Sequence, residues 1–156
     1  MSTHRVEASR VVEADPARAF DVLFAAPRES IFVRRFGAFP PVMETKDQEG
    51  RWDSVGQSRT LVLGDGGSVR ETVTSIDRPH GFEYLLDDIH GKLRPFVTRV
   101  DGAWTAIAED DGVRIGWAWT MHPTGPPGRL TMNVIGRMWQ GYADRALRTV
   151  EDLLRP

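Results

Sequence analysis

The sequence predicts an α+β domain: a curved, seven-stranded antiparallel sheet wrapped around a long C-terminal helix, with two short helices after the first strand. Three observations carry that prediction. The middle of the chain alternates apolar and polar residues in short runs separated by Gly and Asp clusters, such as Gly64-Asp65-Gly66-Gly67 and Asp110-Asp111-Gly112. The last part repeats apolar side chains at three- and four-residue steps. Asp15-Pro16 marks a helix start directly after the first strand-like run. The connections between the middle runs are too short for parallel crossovers, so neighbouring strands pair antiparallel.

Residues 4–14 mix β-branched and polar residues with loose alternation, as a strand does. Asp15 then caps a helix that opens with Pro16, carries Phe20, Leu23 and Phe24 at helical spacing, and ends at Pro27. A second short helix over about residues 28–36 is expected to bury Ile31, Phe32 and Phe36 and to turn its arginines to solvent. Six strands follow, at roughly 42–48, 57–63, 68–77, 81–90, 96–108 and 113–122. The stretch from Pro123 to Gly128 breaks the pattern. From about residue 129 to 154 one helix places Ile135, Met138, Trp139, Tyr142, Ala146, Val150 and Leu153 on a common face. It would be about 39 Å long, enough to cross a sheet. Gly136 and Gly141 mark a bend or a close approach in its first half.

The totals narrow the function classes. A chain of 156 residues reads as one domain spanning 1–156, with 40% hydrophobic and 27% charged residues. A net charge of −2 gives no pull toward nucleic acid. The absence of cysteine removes disulfides, thiolate metal sites and cysteine nucleophiles, and fits a reducing, cytoplasmic location. The N-terminus has no signal-peptide core, and no apolar run is long enough for membrane insertion. Neither a G-x-S-x-G elbow nor a phosphate loop occurs, and the four histidines never form a short ligand pair. No metal and no cofactor is expected.

Three stretches, "EADPARAFDVL", "SVGQSRTLVLGDGGSVRETVTSIDRPHGFEYLL" and "GVRIGWAWTMHP", together with the element order, resemble the START-like, Bet v 1-like superfamily. This is the polyketide cyclase/dehydrase and lipid-transport group, and the resemblance covers almost the whole chain. It implies the helix-grip fold and a cavity between sheet and long helix that holds a small apolar molecule. Members include lipid carriers, plant-type ligand binders and aromatase/cyclases, and the fold does not choose among them.

Strand parity supplies the expected wall. Ile115, Trp117, Trp119 and Met121 share one face of the last strand, and Phe96, Val100, Trp104 and Ala106 one face of the strand before. Phe82, Tyr84, Leu86, Asp88 and His90 share a third. In 68–77, either Val69, Glu71 and Val73 or the alternate set with Ile76 points inward, and a bulge would reverse the choice. The expected ligand contacts are Tyr84, Leu86, Phe96, Trp104, Trp117 and Trp119 from the sheet, with Met138, Trp139 and Tyr142 from the helix. Taken singly, each aromatic reads first as plain core; several Trp and Tyr converging favour a pocket.

The acid–base candidates are Glu71, Asp88, His90 and Tyr142. Glu71 is either an inward, unpaired carboxylate with a raised pKa or a surface or ion-paired one, Arg59 on the neighbouring strand being a candidate partner. Asp88 and His90 sit at a pocket mouth or simply near a turn. Two functions follow: binding of a lipid, isoprenoid or aromatic polyketide-like molecule, or a polyketide aromatase/cyclase chemistry that uses a cavity acid or base. An interaction protein with a filled core is the third possibility.

Overall fold

The structure, a computed structural model, describes residues 2–156. Strand β1 (His4–Val12) turns Val6 and Val12 inward. The Asp15 carboxylate then accepts the Arg18 amide at 3.1 Å and caps α1 (Pro16–Ala25), as the Asp-Pro pair requires. Helix α1 buries Ala19, Phe20, Leu23 and Phe24.

Helix α2 (Arg28–Ile31) is a single turn, shorter than the span expected to residue 36. Phe32 already leaves helical geometry at φ −99° and ψ 68°. The chain next folds back on itself, with Phe36 and Phe39 exchanging backbone hydrogen bonds around Gly37 at φ 57°. A second correction concerns charge. Arg34 and Arg35 are exposed as expected, but Arg28 is buried.

The remaining strands are β2 (Val42–Lys46), β3 (Ser58–Leu63), β4 (Ser68–Asp77), β5 (Gly81–His90), β6 (Val97–Glu109) and β7 (Gly112–Pro123). They form one antiparallel sheet in the order β1-β7-β6-β5-β4-β3-β2. Helix α3 (Pro126–Leu154) begins three residues before the expected 129. Pro126 and Pro127 occupy its first turn, where a missing N–H costs nothing, so the proline pair starts the helix instead of delaying it. Among the described residues no helix is long and apolar enough to cross a membrane.

Three irregularities decide which side chains face inward. At β4–β5, Val73 pairs with Tyr84 but Ser75 with Glu83, so Thr74 is an extra residue. Val69, Glu71 and Val73 therefore point inward, and beyond the bulge Ile76 joins them opposite Phe82. A second extra residue, Asp88 at φ 50°, lies in β5, since Arg70 pairs with Asp87 and Ser68 with His90. The third is Thr98 in β6.

Helix α3 packs against β1, β7, α1 and α2. It covers one side of the concave face. The other side, over β3 to β5, is roofed by α2 and the chain that leads from it to β2.

Candidate functional site

The register places large aromatics beside one another on the inner face of β6 and β7. Trp104 pairs with Trp117, and their rings stack at 5.0 Å and 12°. Trp139 of α3 lies 4.8 Å from Trp117 on the helix side, and Phe32 of the roof 5.1 Å. Trp117 is thus the hub of a packed aromatic cluster, which fills the deep space between sheet and helix. Such pairs add about 0.5–1.5 kcal/mol each beyond the area they bury.

Beside this cluster Tyr84 pairs with Gly102, which in turn pairs with Trp119. Because Gly102 has no side chain, the Tyr84 ring lies across it; a Cβ there would stand 2.1 Å from the ring. The hydroxyl then reaches both indoles, accepting from Trp117 Nε1 at 2.7 Å and Trp119 Nε1 at 3.0 Å. Burial pushes the Tyr84 phenol up, away from ionisation, more than the two donated hydrogen bonds pull it down.

What the aromatics leave open is a cavity of about 80 Å³ beneath the roof. Its floor is Leu61, Val69, Leu86, Val100, Trp104 and Trp117, with Trp119 and Tyr84 on one side. Phe32, Phe39 and Tyr142 cover it. Its mouth lies between Asp65 of the β3–β4 turn and His90 at the end of β5, with Lys92 and Leu93 just after it.

Of the expected wall residues, Tyr84, Leu86, Trp104, Trp117, Trp119 and Tyr142 border this space. Three do not. The bulge at Thr98 gives Val97 the inward place and leaves Phe96 half-buried ahead of β6. Trp139 is wholly buried in the aromatic cluster. Met138 lies over Gly37, its sulfur accepting the Ala38 amide at 3.5 Å, so it clamps the roof from outside. His90 borders the mouth, while Asp88 is turned out by its own bulge and bonds His90 Nε2 at 3.1 Å.

The polar groups inside are few and mostly committed. Glu71 borders the cavity and accepts from Arg59 Nε at 2.7 Å, its cross-strand neighbour. Both are buried, and the Arg59 guanidinium also stacks 3.7 Å from the Trp52 ring. Tyr142 donates its hydroxyl to the Pro40 carbonyl at 2.8 Å, holding helix to roof. Burial raises its pKa.

Arg28 is the exception. It is 1% exposed, borders the cavity, and uses only Nη2, which donates to the carbonyls of Leu23 and Phe24 at the end of α1. Burial lowers its pKa, and the Glu71 carboxylate opposes that shift. Sequence reasoning missed this residue, because an arginine directly after Pro27 reads as a solvated helix start. It also missed Phe32 and Phe39 as roof.

The fold has counterparts among known structures. Major latex-like protein 151 from Panax ginseng superposes with a TM-score of 0.75 at 13% identity, covering 99% of both chains. Ara h 8.0201 gives 0.70 at 18% identity, covering 98% of each. Norcoclaurine synthase from Thalictrum flavum gives 0.69 at 16%, covering 97% of this chain and 86% of that one. At these identities the likeness is one of fold. No curated protein matches the sequence. The model of the family described as polyketide cyclase / dehydrase and lipid transport matches residues 3–155. The chain therefore belongs to that family, within the START-like, Bet v 1-like superfamily.

Proposed function

We propose that this protein binds one small, largely apolar molecule in the cavity beneath its roof. The observation that carries this reading is a buried, open-mouthed space walled by Trp104, Trp117, Trp119 and aliphatic side chains. Its size limits the occupant. At about 80 Å³ it falls short of the roughly 150 Å³ cavity that holds a benzene, so a single ring or short chain already calls for some yielding of the walls. A sterol or a multi-ring polyketide would have to project through the mouth. The norcoclaurine synthase of the same fold was crystallised with dopamine and hydroxybenzaldehyde, both single-ring aromatics, which supports this size class.

Binding is favoured over acid–base catalysis because the interior candidates are already engaged. Glu71 is held by Arg59, and the Tyr142 proton is given to Pro40. His90 and Asp88 bond each other at the exposed rim.

The test is a titration of intrinsic Trp fluorescence with single-ring aromatics, fatty acids and sterols. Trp104, Trp117 and Trp119 border the space and should report occupancy. Saturable change is expected with the small aromatics, and its loss in Leu86→Phe, which fills the cavity without removing a wall aromatic. An unaltered titration in Leu86→Phe would place the binding elsewhere.

A further inference from the structure

The fully buried polar side-chain atoms without a partner are of one kind. Arg28 Nε and Nη1 are buried and meet no acceptor among the described residues. The Tyr84 oxygen accepts from two indoles, which engages its lone pairs and leaves its own O–H to find an acceptor. The interior carboxylate, Glu71, accepts from Arg59 through Oε1. The buried side-chain atoms left without a partner among the described residues, Arg28 Nε and Nη1 with the outlying Trp52 Nε1, Arg59 Nη2 and Trp139 Nε1, are all donors.

The fully buried charge is net positive. Arg28 and Arg59 are buried with Glu71, two cations to one anion. These three and Tyr84 act on one another electrostatically, with Glu29 contributing at Arg28. At the mouth Lys92 and Asp65 oppose each other in sign. A buried cation without a counter-charge is costly, and a guanidinium satisfies carboxylates well. A single negative charge would complete the set. A phosphate monoester, at about −1.5 to −2, would overshoot it.

We propose that the cavity takes a small monocarboxylate, with its apolar body on the Trp104–Trp117–Trp119 wall and its carboxylate against Arg28 and the Tyr84 hydroxyl. This rests on the reading that the cavity binds a small apolar molecule, and adds the headgroup. Arg28 is a binding residue on this account; Arg59, paired with Glu71, does not border the cavity.

The experiment compares acids with their neutral isosteres by titration calorimetry at neutral pH: benzoate with benzamide, phenylacetate with phenylacetamide, hexanoate with hexanamide. Charge-assisted hydrogen bonds in a buried site predict that each acid binds about ten- to a hundredfold more tightly than its amide. Arg28→Met should bring the acid-to-amide ratio to about one, acid affinity falling about ten- to a hundredfold further than amide affinity. Equal or tighter binding of the amides overturns the headgroup assignment and leaves the cavity reading standing. Binding of neither series overturns both. Arg28 also holds the last carbonyls of α1, so Arg28→Met could fail to fold; the wild-type acid-to-amide ratio then decides alone, a ratio near one overturning the proposal.

Discussion

A tyrosine hydroxyl that serves two indoles needs its ring held in one place, and Gly102 makes that place. Any side chain at 102 would stand inside the Tyr84 ring, and the contact is with a ring on the wall of a packed cluster, with Phe82 6.2 Å away. Gly102→Ala is therefore expected to destabilise the fold by about 1–3 kcal/mol, the usual range for overpacking. It should also shift Trp emission, because Trp117 and Trp119 lose their shared acceptor. Denaturant unfolding followed by fluorescence measures both. Wild-type stability with unchanged emission would mean that Tyr84 is free to move. The same scale explains the buried charges. Arg59 and Glu71 face each other because β3 and β4 pair in register, whereas Arg28 is buried because Pro27 starts a new turn, α2, that forms part of the roof and borders the cavity.

At the level of elements, the order of strands and helices was legible because each has a local signature. Asp15-Pro16, the Gly-Asp turns and the helical periodicity after Pro127 are properties of neighbouring residues. The bulges at Thr74, Asp88 and Thr98 are not, since they depend on what the adjacent strand offers, and they moved Asp88 and Phe96 off the wall. For the same reason Trp104, Trp117 and Trp119 were legible as one inward face, while their division between packed cluster and cavity wall was not. The two helix glycines illustrate the point further, because the sequence marks both alike. A Cβ at Gly136 would meet chiefly the imidazole tip of His4 at 3.0 Å, which can swing aside. At Gly141 it would meet the Phe36 ring at 2.2 Å, and that ring is fixed by the Phe36–Phe39 hairpin and by the Arg145 guanidinium 5.2 Å away. Gly136→Ala should accordingly stabilise by up to about 1 kcal/mol through helix propensity. Gly141→Ala should destabilise by about 1–3 kcal/mol. Thermal melts of the two variants should move in opposite directions; a rise for both would show that Phe36 yields freely.

For the whole molecule, the consequence of placing α3 toward β1 and β7 is a fold with two halves of different character. One half is filled by aromatics and the other is roofed by a loop over a small cavity. Tyr142 ties the roof to the helix, and Tyr84 ties the cavity to the aromatic cluster. They are the two tyrosines of the chain, and burial raises the pKa of both above the ordinary value near 10. The sign of the linkage follows. Between the unfolded and the folded pKa the native state holds protons that the unfolded chain releases, so stability is intact below about pH 10 and falls as pH rises beyond it. Burial disfavours the ionisation of either phenol while the fold is closed. Raising the pH should leave the phenolate absorbance band silent until unfolding, then bring both tyrosines up together with the loss of far-ultraviolet circular dichroism. A phenolate signal with a midpoint near 10 and unchanged circular dichroism would mean that water reaches one of the two hydroxyls. With a saturating cavity ligand the coupled transition should move to higher pH, because a molecule bound only by the native state holds the roof closed over both.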